Sequence, residues 1–134
     1  MKITRETDYA MRIMLLLTCR KEHVEAKRIA EECDIPYRFA LKILRKLVQA
    51  GLAKSYRGMN GGYTISKKKE ITLLDVVEAI DGIMAINTCM ENPDSCKESA
   101  RCKIRRSLAE AQTVFADKLR SVSFLDLMEE EEKD

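Results

Sequence analysis

The sequence predicts a mainly α-helical protein with one small β-hairpin wing: a winged helix-turn-helix followed by a long C-terminal helix. Hydrophobic residues make up 46% of its 134 residues, but aromatic residues only 5%, and none is Trp. This composition is typical of helices that pack through aliphatic side chains. Apolar residues recur at spacings of three and four along most of the chain, whereas residues 52–66 contain two short β-capable runs around glycines.

The chain is long enough for one domain with a substantial core and an appended arm. We predict four parts: a winged helix-turn-helix at 1–82, a cysteine-bearing loop at 83–99, a dimerisation helix at 100–124 and an acidic, disordered tail at 125–134. The apolar run at 13–19 lies between Arg12 and Arg20 and is shorter than the roughly 20 residues of a membrane span. We therefore expect a cytoplasmic protein with no membrane segment.

The first three predicted helices form a DNA-binding type of motif. The stretch DYAMRIMLLLTCR predicts a helix with Thr7 as its N-cap, and AKRIAEEC at 26–33 predicts a second. Pro36 suits the first turn of a third helix, PYRFALKILRKLVQAG, which Gly51 ends. We expect that third helix to bury Phe39, Ala40, Ile43, Leu44 and Leu47. Two short helices joined by a tight turn predict a helix-turn-helix.

The segment LAKSYRGMNGGYTIS predicts a β-hairpin, or wing, with Arg57 at the edge of its glycine-containing tip. A nucleotide-binding loop is the alternative. Such loops lead from a strand into a helix, whereas this one leads into the β-capable residues 63–65. The hairpin is therefore the better interpretation.

Charge is unevenly distributed along the chain. Residues 1–68 contain 15 Lys and Arg against 7 Asp and Glu, whereas residues 69–134 contain 9 against 15. The asymmetry predicts that the first half binds a polyanion. A basic face that is merely solvated would give the same counts.

The second half has one short helix and one long one. We expect Thr72 to cap LLDVVEAID, with Asp75 completing a capping box and Gly82 ending the helix. A longer helix, from about Ala100, is predicted by an apolar stripe at Ile104, Leu108, Ala111, Phe115, Leu119 and Val122. The small winged domain leaves this stripe little to pack on, so we predict a homodimer in which it meets a second copy. The alternative is that the helix folds back on its own domain.

The cysteines point to metal or redox chemistry. Their number, five, is odd, and without an export signal a disulfide framework is not expected. Cys89, Cys96 and Cys102 are separated by six and five residues, without the close pair of most zinc sites. An iron-sulfur cluster accepts more open loops, and zinc or free, redox-switching thiols are the alternatives. Cys19 and Cys33 are expected to be small buried thiols.

The sequence resembles the Rrf-type family of bacterial winged-helix regulators, the group that includes IscR and NsrR. The similar pieces, in order, are MKITRETDYAMR, DIPYRFALKILRKLVQAGL, YRGMNGGYTIS, ITLLDVVEAIDG and the three cysteines after them. The resemblance implies a homodimeric transcriptional regulator, which we interpret as a repressor, whose binding to double-stranded operator DNA is modulated by an iron-sulfur cluster.

The resemblance also implies roles for individual residues. The third helix would enter the major groove with Arg38 and Lys42, and the wing would place Arg57 in the minor groove, as expected from the hydrogen-bonding capacity of these side chains. Tyr37 and Arg28 would contact the DNA backbone.

The fourth cluster ligand differs between branches of the family. The IscR branch has a His three residues after the last cysteine, but Arg105 stands there in this chain, and a guanidinium cannot replace it. The NsrR branch uses an Asp near the N-terminus of the partner subunit, which corresponds to Asp8. We therefore predict Asp8 as the fourth ligand and favour a 4Fe-4S cluster slightly over 2Fe-2S. The only histidine, His23, is expected to be solvated or locally bonded.

Other classes of function fit the sequence less well. A small iron-sulfur redox module would not need the basic helix pair and wing, whereas a winged domain that acts as a protein-interaction module would be distinguished by weak salt dependence of its binding. A winged-helix regulator with structural zinc or thiol-redox cysteines remains an alternative. An enzyme is not expected, because one histidine and no cofactor loop provide little from which to build a catalytic site.

Overall fold

The computed structural model describes residues 3–66, 70–82, 85, 90, 92–98 and 100–133, the last three without their side chains. Within these ranges the regular elements are α1 (Arg5–Cys19), α2 (Ala26–Cys33), α3 (Tyr37–Gln49), β1 (Ala53–Tyr56), β2 (Gly62–Ile65), α4 (Leu73–Asp81), a 3-10 turn (Pro93–Ser95), α5 (Lys103–Arg120) and α6 (Phe124–Lys133). The predicted helix-rich winged fold is confirmed. No helix in these ranges is both long and apolar enough to cross a bilayer.

Helix α1 lies at the centre of the core and packs against α2, α3, α4, α6 and β2. Its N-cap is Thr4, whose Oγ1 accepts a hydrogen bond from the Thr7 N–H at 3.2 Å. The prediction of Thr7 as the cap was therefore wrong. Thr7 lies one turn inside the helix with no exposed surface. The predicted capping box of Thr72 and Asp75 at the start of α4 is confirmed.

Helices α2 and α3 are joined by a tight turn in which Asp34 has left-handed backbone angles, with φ at 55°. The inner face of α3 consists of Ala40, Ile43, Leu44 and Leu47, all fully buried. Phe39 was also expected to be buried, but its side chain is 43% exposed. One residue of helix corresponds to a rotation of about 100°, so Phe39 lies to one side of this inner face.

The wing is an antiparallel pair, with Ala53 opposite Ile65 and Tyr56 opposite Gly62. Val24, from the loop between α1 and α2, forms a bridge to Tyr63 with N···O distances of 3.0 and 2.9 Å. The base of the wing is thereby fixed to the helical core.

The C-terminal arm contains the predicted long helix at Lys103–Arg120, but the tail differs from the predicted disorder. Helix α5 ends at Arg120, and a second helix, α6, covers residues 124–133. Ser123 Oγ accepts from Asp126 N, and Asp126 Oδ2 accepts from Ser123 N, so a capping box begins α6. Phe124, only 1% exposed, belongs to the main core. Burial of this ring stabilises the folded tail, although the acidic composition of the tail predicts disorder.

Helix α5 is only partly covered by its own chain. Near its C-terminal end Leu119 packs with Leu74 and Val77 of α4. In contrast, Ile104 is 71% and Val114 72% exposed. The end of α5 thus folds back on its own domain, while Ile104 on its apolar stripe and Val114 beside that stripe remain exposed.

Candidate nucleic-acid interface and metal site

The outer side of α3 presents the predicted DNA-reading residues. Arg38 and Lys42 are exposed and four residues apart, which places them on one face of the helix. The Arg38 guanidinium carbon lies 5.6 Å from the centroid of the Phe39 ring. The exposed Phe39 ring therefore supports this arginine through a cation–π contact. Tyr37, at the start of the same helix, is also exposed.

The first turn of α1 reaches α3 through an ion pair that the sequence did not indicate. Glu6 Oε1 lies 2.8 Å from Lys46 Nζ and 3.9 Å from Lys42 Nζ. Lys46 is therefore the main partner of Glu6, and Lys42, whose side chain is 60% exposed, lies at the margin of this ion pair. Glu6 occupies a position where an acidic residue is expected only to favour the helix dipole, so no local pattern identified this pair.

The two remaining predicted DNA contacts lie on other elements. Arg57 follows the last residue of β1 and is exposed at the wing. Arg28 is exposed on α2, with its Nε 3.6 Å from Glu32 Oε2. Glu32 forms a shorter contact of 2.6 Å with Arg20, which leaves Arg28 only loosely paired.

The cysteine region is described in part. Cys89 lies outside the described residues. Cys96 is an exposed free thiol directly after the 3-10 turn, and Cys102 is a partly buried free thiol at the N-cap of α5. Cys102 Sγ accepts a hydrogen bond from Arg105 N at 3.4 Å. The Cys102 sulfur therefore lies at the N-terminal end of α5, in contact with a backbone N–H group of the first turn.

The predicted fourth ligand is not beside these cysteines within one chain. Asp8 is half-exposed on α1, with Oδ2 2.9 Å from Arg12 Nη2. Within the described part of the chain, no three His, Cys, Asp or Glu residues are grouped closely enough to bind a metal ion. Asp8, Cys96 and Cys102, all described, therefore do not form such a group in a single subunit.

One feature beside Cys102 would suit an anionic group such as an iron-sulfur cluster. Thiolates are the ligands that such clusters use. Arg105, in the first turn after Cys102, has a buried Nε without a hydrogen-bond partner among the described residues. An unsatisfied cationic donor three residues after a cysteine suits a negatively charged group.

A carboxylate at the end of α4, directly before the cysteine segment, takes part in a hydrogen-bond network that is only partly buried. Asp81, the last residue of α4, accepts from Thr7 Oγ1 at 2.6 Å and from Thr4 Oγ1 at 3.1 Å. Asp81 is followed by Gly82 and then by the cysteine segment. The carboxylate thereby joins the start of α1 to the end of α4.

The other two cysteines differ from expectation in their exposure. Cys19, predicted to be buried, is exposed because it is the last residue of α1. Cys33 is partly buried, and this burial raises the pKa of its thiol above the ordinary value of 9.0, with Glu32 adding to the effect and Arg12 opposing it. The raised pKa favours a protonated thiol at Cys33.

Comparison with protein families and curated sequences identifies the relatives of this chain. Residues 3–130 match the Rrf2 family, described as an iron-dependent transcriptional regulator. The chain is 32% identical to Protein rrf2 of Nitratidesulfovibrio vulgaris, over 96% of this chain and 87% of that protein. It is 27% identical to the HTH-type transcriptional repressor NsrR of Streptomyces coelicolor, over 96% of this chain and 89% of that protein. These relatives are transcriptional regulators and not enzymes.

Comparison with solved structures supports the fold. IscR of T. potens superimposes with a TM-score of 0.78, 21% identity and coverage of 99% of this chain and 90% of that one. CymR, the global cysteine regulator of B. subtilis, superimposes with a TM-score of 0.73, 24% identity and coverage of 96% and 97%. At these identities the similarity establishes the winged fold.

Proposed function

The chain belongs to the Rrf2 family of transcriptional regulators, and from this premise we propose that it is a homodimeric repressor that reads operator DNA under the control of an iron-sulfur cluster. The observation that carries the DNA-reading part is the arrangement of Arg38 and Lys42 on a helix whose opposite face is fully buried. A rigid helix with exposed cations on its outer side is suited to the major groove.

Each basic residue has a role in this proposal. Arg38 and Lys42 donate to guanine edges in the major groove. Arg57 enters the minor groove, where the negative potential of narrow A·T-rich segments favours a guanidinium. Tyr37 and Arg28 contact phosphates, which fix orientation and carry little sequence information.

The DNA part is tested with a duplex selected by the purified protein from a randomised library. Arg57→Ala is expected to weaken binding to this duplex by about tenfold, a typical cost of one lost specific contact. Arg106→Ala is the matched control, because it removes one positive charge from an exposed position on α5. Equal, small losses for both variants would contradict the wing assignment, and failure to select any duplex would contradict DNA reading altogether.

The cysteine part of the proposal assigns Cys89, Cys96 and Cys102 as ligands, with the partner subunit's Asp8 as the fourth. The N-cap position of Cys102 and the unpartnered Arg105 Nε support this assignment. So does the similarity to NsrR over nearly the whole chain. A 4Fe-4S cluster with one carboxylate ligand, which we favour over 2Fe-2S, would supply a centre open to attack by small reactive molecules.

The ion pairs between α1 and α3 support a route by which the cysteine region would influence DNA binding. Asp8, which would reach the partner, lies in the same first turn as Glu6, which pairs with Lys46. A displacement of this turn changes the Glu6 contact with Lys46 and Lys42, and hence the charge that α3 presents. This displacement regulates the protein only if the conformations with and without the cluster differ in DNA affinity. Equal operator affinity of metal-free and iron-loaded protein would remove the mechanism.

Metal analysis of anaerobically purified protein tests the cofactor. We expect about four irons and four acid-labile sulfides per subunit, with visible absorption. About two of each would favour 2Fe-2S and reopen the ligand set. Stoichiometric zinc, or no metal after anaerobic reconstitution, would favour the second candidate, a regulator with structural zinc or with thiol-redox cysteines such as the exposed Cys96.

A further inference from the structure

We propose that His23 is a positioning residue for DNA recognition, because its ring holds the wing tip, residues 57–61, in the conformation that presents Arg57. The proposal rests on the proposed function for the role of Arg57. From the sequence, His23 was expected only to be solvated or to form a local hydrogen bond. The contacts of its ring give it a role in positioning the wing tip.

The imidazole contacts the residue directly before Arg57. The rings of His23 and Tyr56 are stacked, with centroids 4.0 Å apart and planes inclined by 13°. Tyr56 is the last residue of β1. The stack therefore fixes the direction in which the backbone leaves the strand and enters the wing tip.

The same imidazole also contacts the other side of the wing tip. His23 Nδ1 lies 3.0 Å from the carbonyl oxygen of Asn60. A carbonyl oxygen can only accept, so Nδ1 must carry a hydrogen and donate it. One ring thus joins both ends of the short segment that contains Arg57.

The backbone beneath this contact is packed closely enough to require glycine. A Cβ on Gly62 would lie 2.6 Å from the Val24 carbonyl oxygen, and one on Gly61 would lie 2.5 Å from the Tyr56 carbonyl oxygen. Val24, the neighbour of His23, pairs with Tyr63 through two backbone hydrogen bonds. The loop that contains His23 is consequently anchored at the base of the wing.

The wing tip has few other restraints among the described residues. Met59 is 97% exposed, and Gly58 has φ at +103°. The Gly61 N–H donates to the Gly58 carbonyl oxygen at 3.0 Å, which is a contact within the tip itself. Without His23 the tip would sample more conformations, and ordering it on DNA would cost conformational entropy. Arg57 would then contribute less to binding.

A double-mutant cycle tests this coupling on the library-selected duplex. His23→Ala is expected to weaken binding about tenfold, and Arg57→Ala is expected to cost clearly less in the His23→Ala background than in the wild type. Arg38→Ala, on α3, is the matched control and should cost the same in both backgrounds. Additive losses for His23 and Arg57, or equal coupling of His23 to Arg38, would overturn the proposal.

Two further measurements keep the result interpretable. His23→Phe retains the stack on Tyr56 and loses the bond to Asn60, so its affinity should lie between wild type and His23→Ala. Backbone order parameters for residues 57–60 should fall in His23→Ala without DNA present. Unchanged order parameters would refute the positioning role even if no duplex were bound, whereas lowered ones together with a failure to select any duplex would refute only the proposed function.

Discussion

The winged domain and the cysteine-bearing arm of this protein differ in how completely a single chain buries their apolar side chains. In the winged domain, α1 and α3 pack their inner faces fully, and the basic residues project from a fixed helix and hairpin. In the arm, Cys96 is exposed and α5 leaves Ile104 and Val114 uncovered. The first region carries its proposed site on packed elements, whereas the second has an exposed thiol and an exposed apolar surface.

This difference suggests a division of labour. A DNA-reading surface requires fixed spacing between side chains, which a packed core provides. A regulatory site must respond to its ligand, and such sites are drawn from less firmly held parts of a structure. Phe124 and Leu119 of the arm pack on the winged domain, and Asp81 joins α1 to the end of α4 just before the cysteine segment, so variants at and around Phe124 and Asp81 test the comparison.

The largest expected effect is at Phe124, which the arm contributes to the winged core. Phe124→Ala should lower the free energy of unfolding by about 3 to 5 kcal/mol, as for other fully buried aromatic rings. Leu125→Ala, at the exposed neighbouring position, should cost less than about 1 kcal/mol. Urea denaturation at a fixed protein concentration measures both. Similar, small losses would mean that the arm is not part of the core.

The next effect concerns the uncovered side of α5. Val114→Asp should weaken dimerisation about a hundredfold, because a buried charge would face its own symmetry mate. Thr113→Asp adds the same charge about 100° away around the helix and should change the dissociation constant little. Sedimentation at micromolar concentrations measures this constant. A strict monomer in the wild type would contradict the homodimer.

A smaller effect is expected at Asp81, whose hydrogen bonds join α1 to α4. Asp81→Ala removes the acceptor of the buried Thr7 hydroxyl and should lower the free energy of unfolding by about 1 to 3 kcal/mol. Asp117→Ala removes an exposed ion pair with Arg120 and should be nearly neutral. If the Asp81 variant is equally neutral in thermal unfolding, the hydrogen bonds of Asp81 do not stabilise the contact between α1 and α4.

At Cys102, two substitutions separate the helix cap from the proposed ligand. Cys102→Ala should cost about 1 kcal/mol in the metal-free protein, whereas Cys102→Ser keeps an N-cap and should cost little. Both should lose bound iron after anaerobic reconstitution. Iron retention by the serine variant, measured per subunit, would contradict thiolate ligation at this position.

The smallest effect is the pH dependence contributed by Cys33. Burial raises the pKa of its thiol above 9.0, so the folded protein holds this proton more tightly than the unfolded chain does. The contribution to stability is fully present below pH 9.0 and is lost as pH rises through the folded pKa. Cys33→Ala should therefore flatten the alkaline decline in stability, measured by urea denaturation from neutral to alkaline pH. If the free energy of unfolding falls equally steeply with pH in Cys33→Ala and in the wild type, Cys33 does not cause the alkaline decline.

Local sequence signals predicted much of the fold and the outline of the site. The periodicity of α3 identified Ala40, Ile43, Leu44 and Leu47 as its buried face, and the glycines after Met59 identified the wing. The same signals wrongly predicted that Phe39 is buried, because periodicity does not show that this apolar residue lies at the border of the buried face of α3. They also predicted a disordered tail, because the acidic run outweighed the single buried ring at its start.

The contacts that relate the parts of the site were beyond local patterns. Thr7 and Asp81 are 74 residues apart, and His23 and Asn60 are 37 residues apart. The sequence by itself determined the order of elements, the basic reading helix, the wing and the set of thiols, since these depend on residue type and short-range spacing. The tertiary structure decided which side chains meet, because packing α1 against α3, α4 and α6 brings together residues that propensity and periodicity treat as independent.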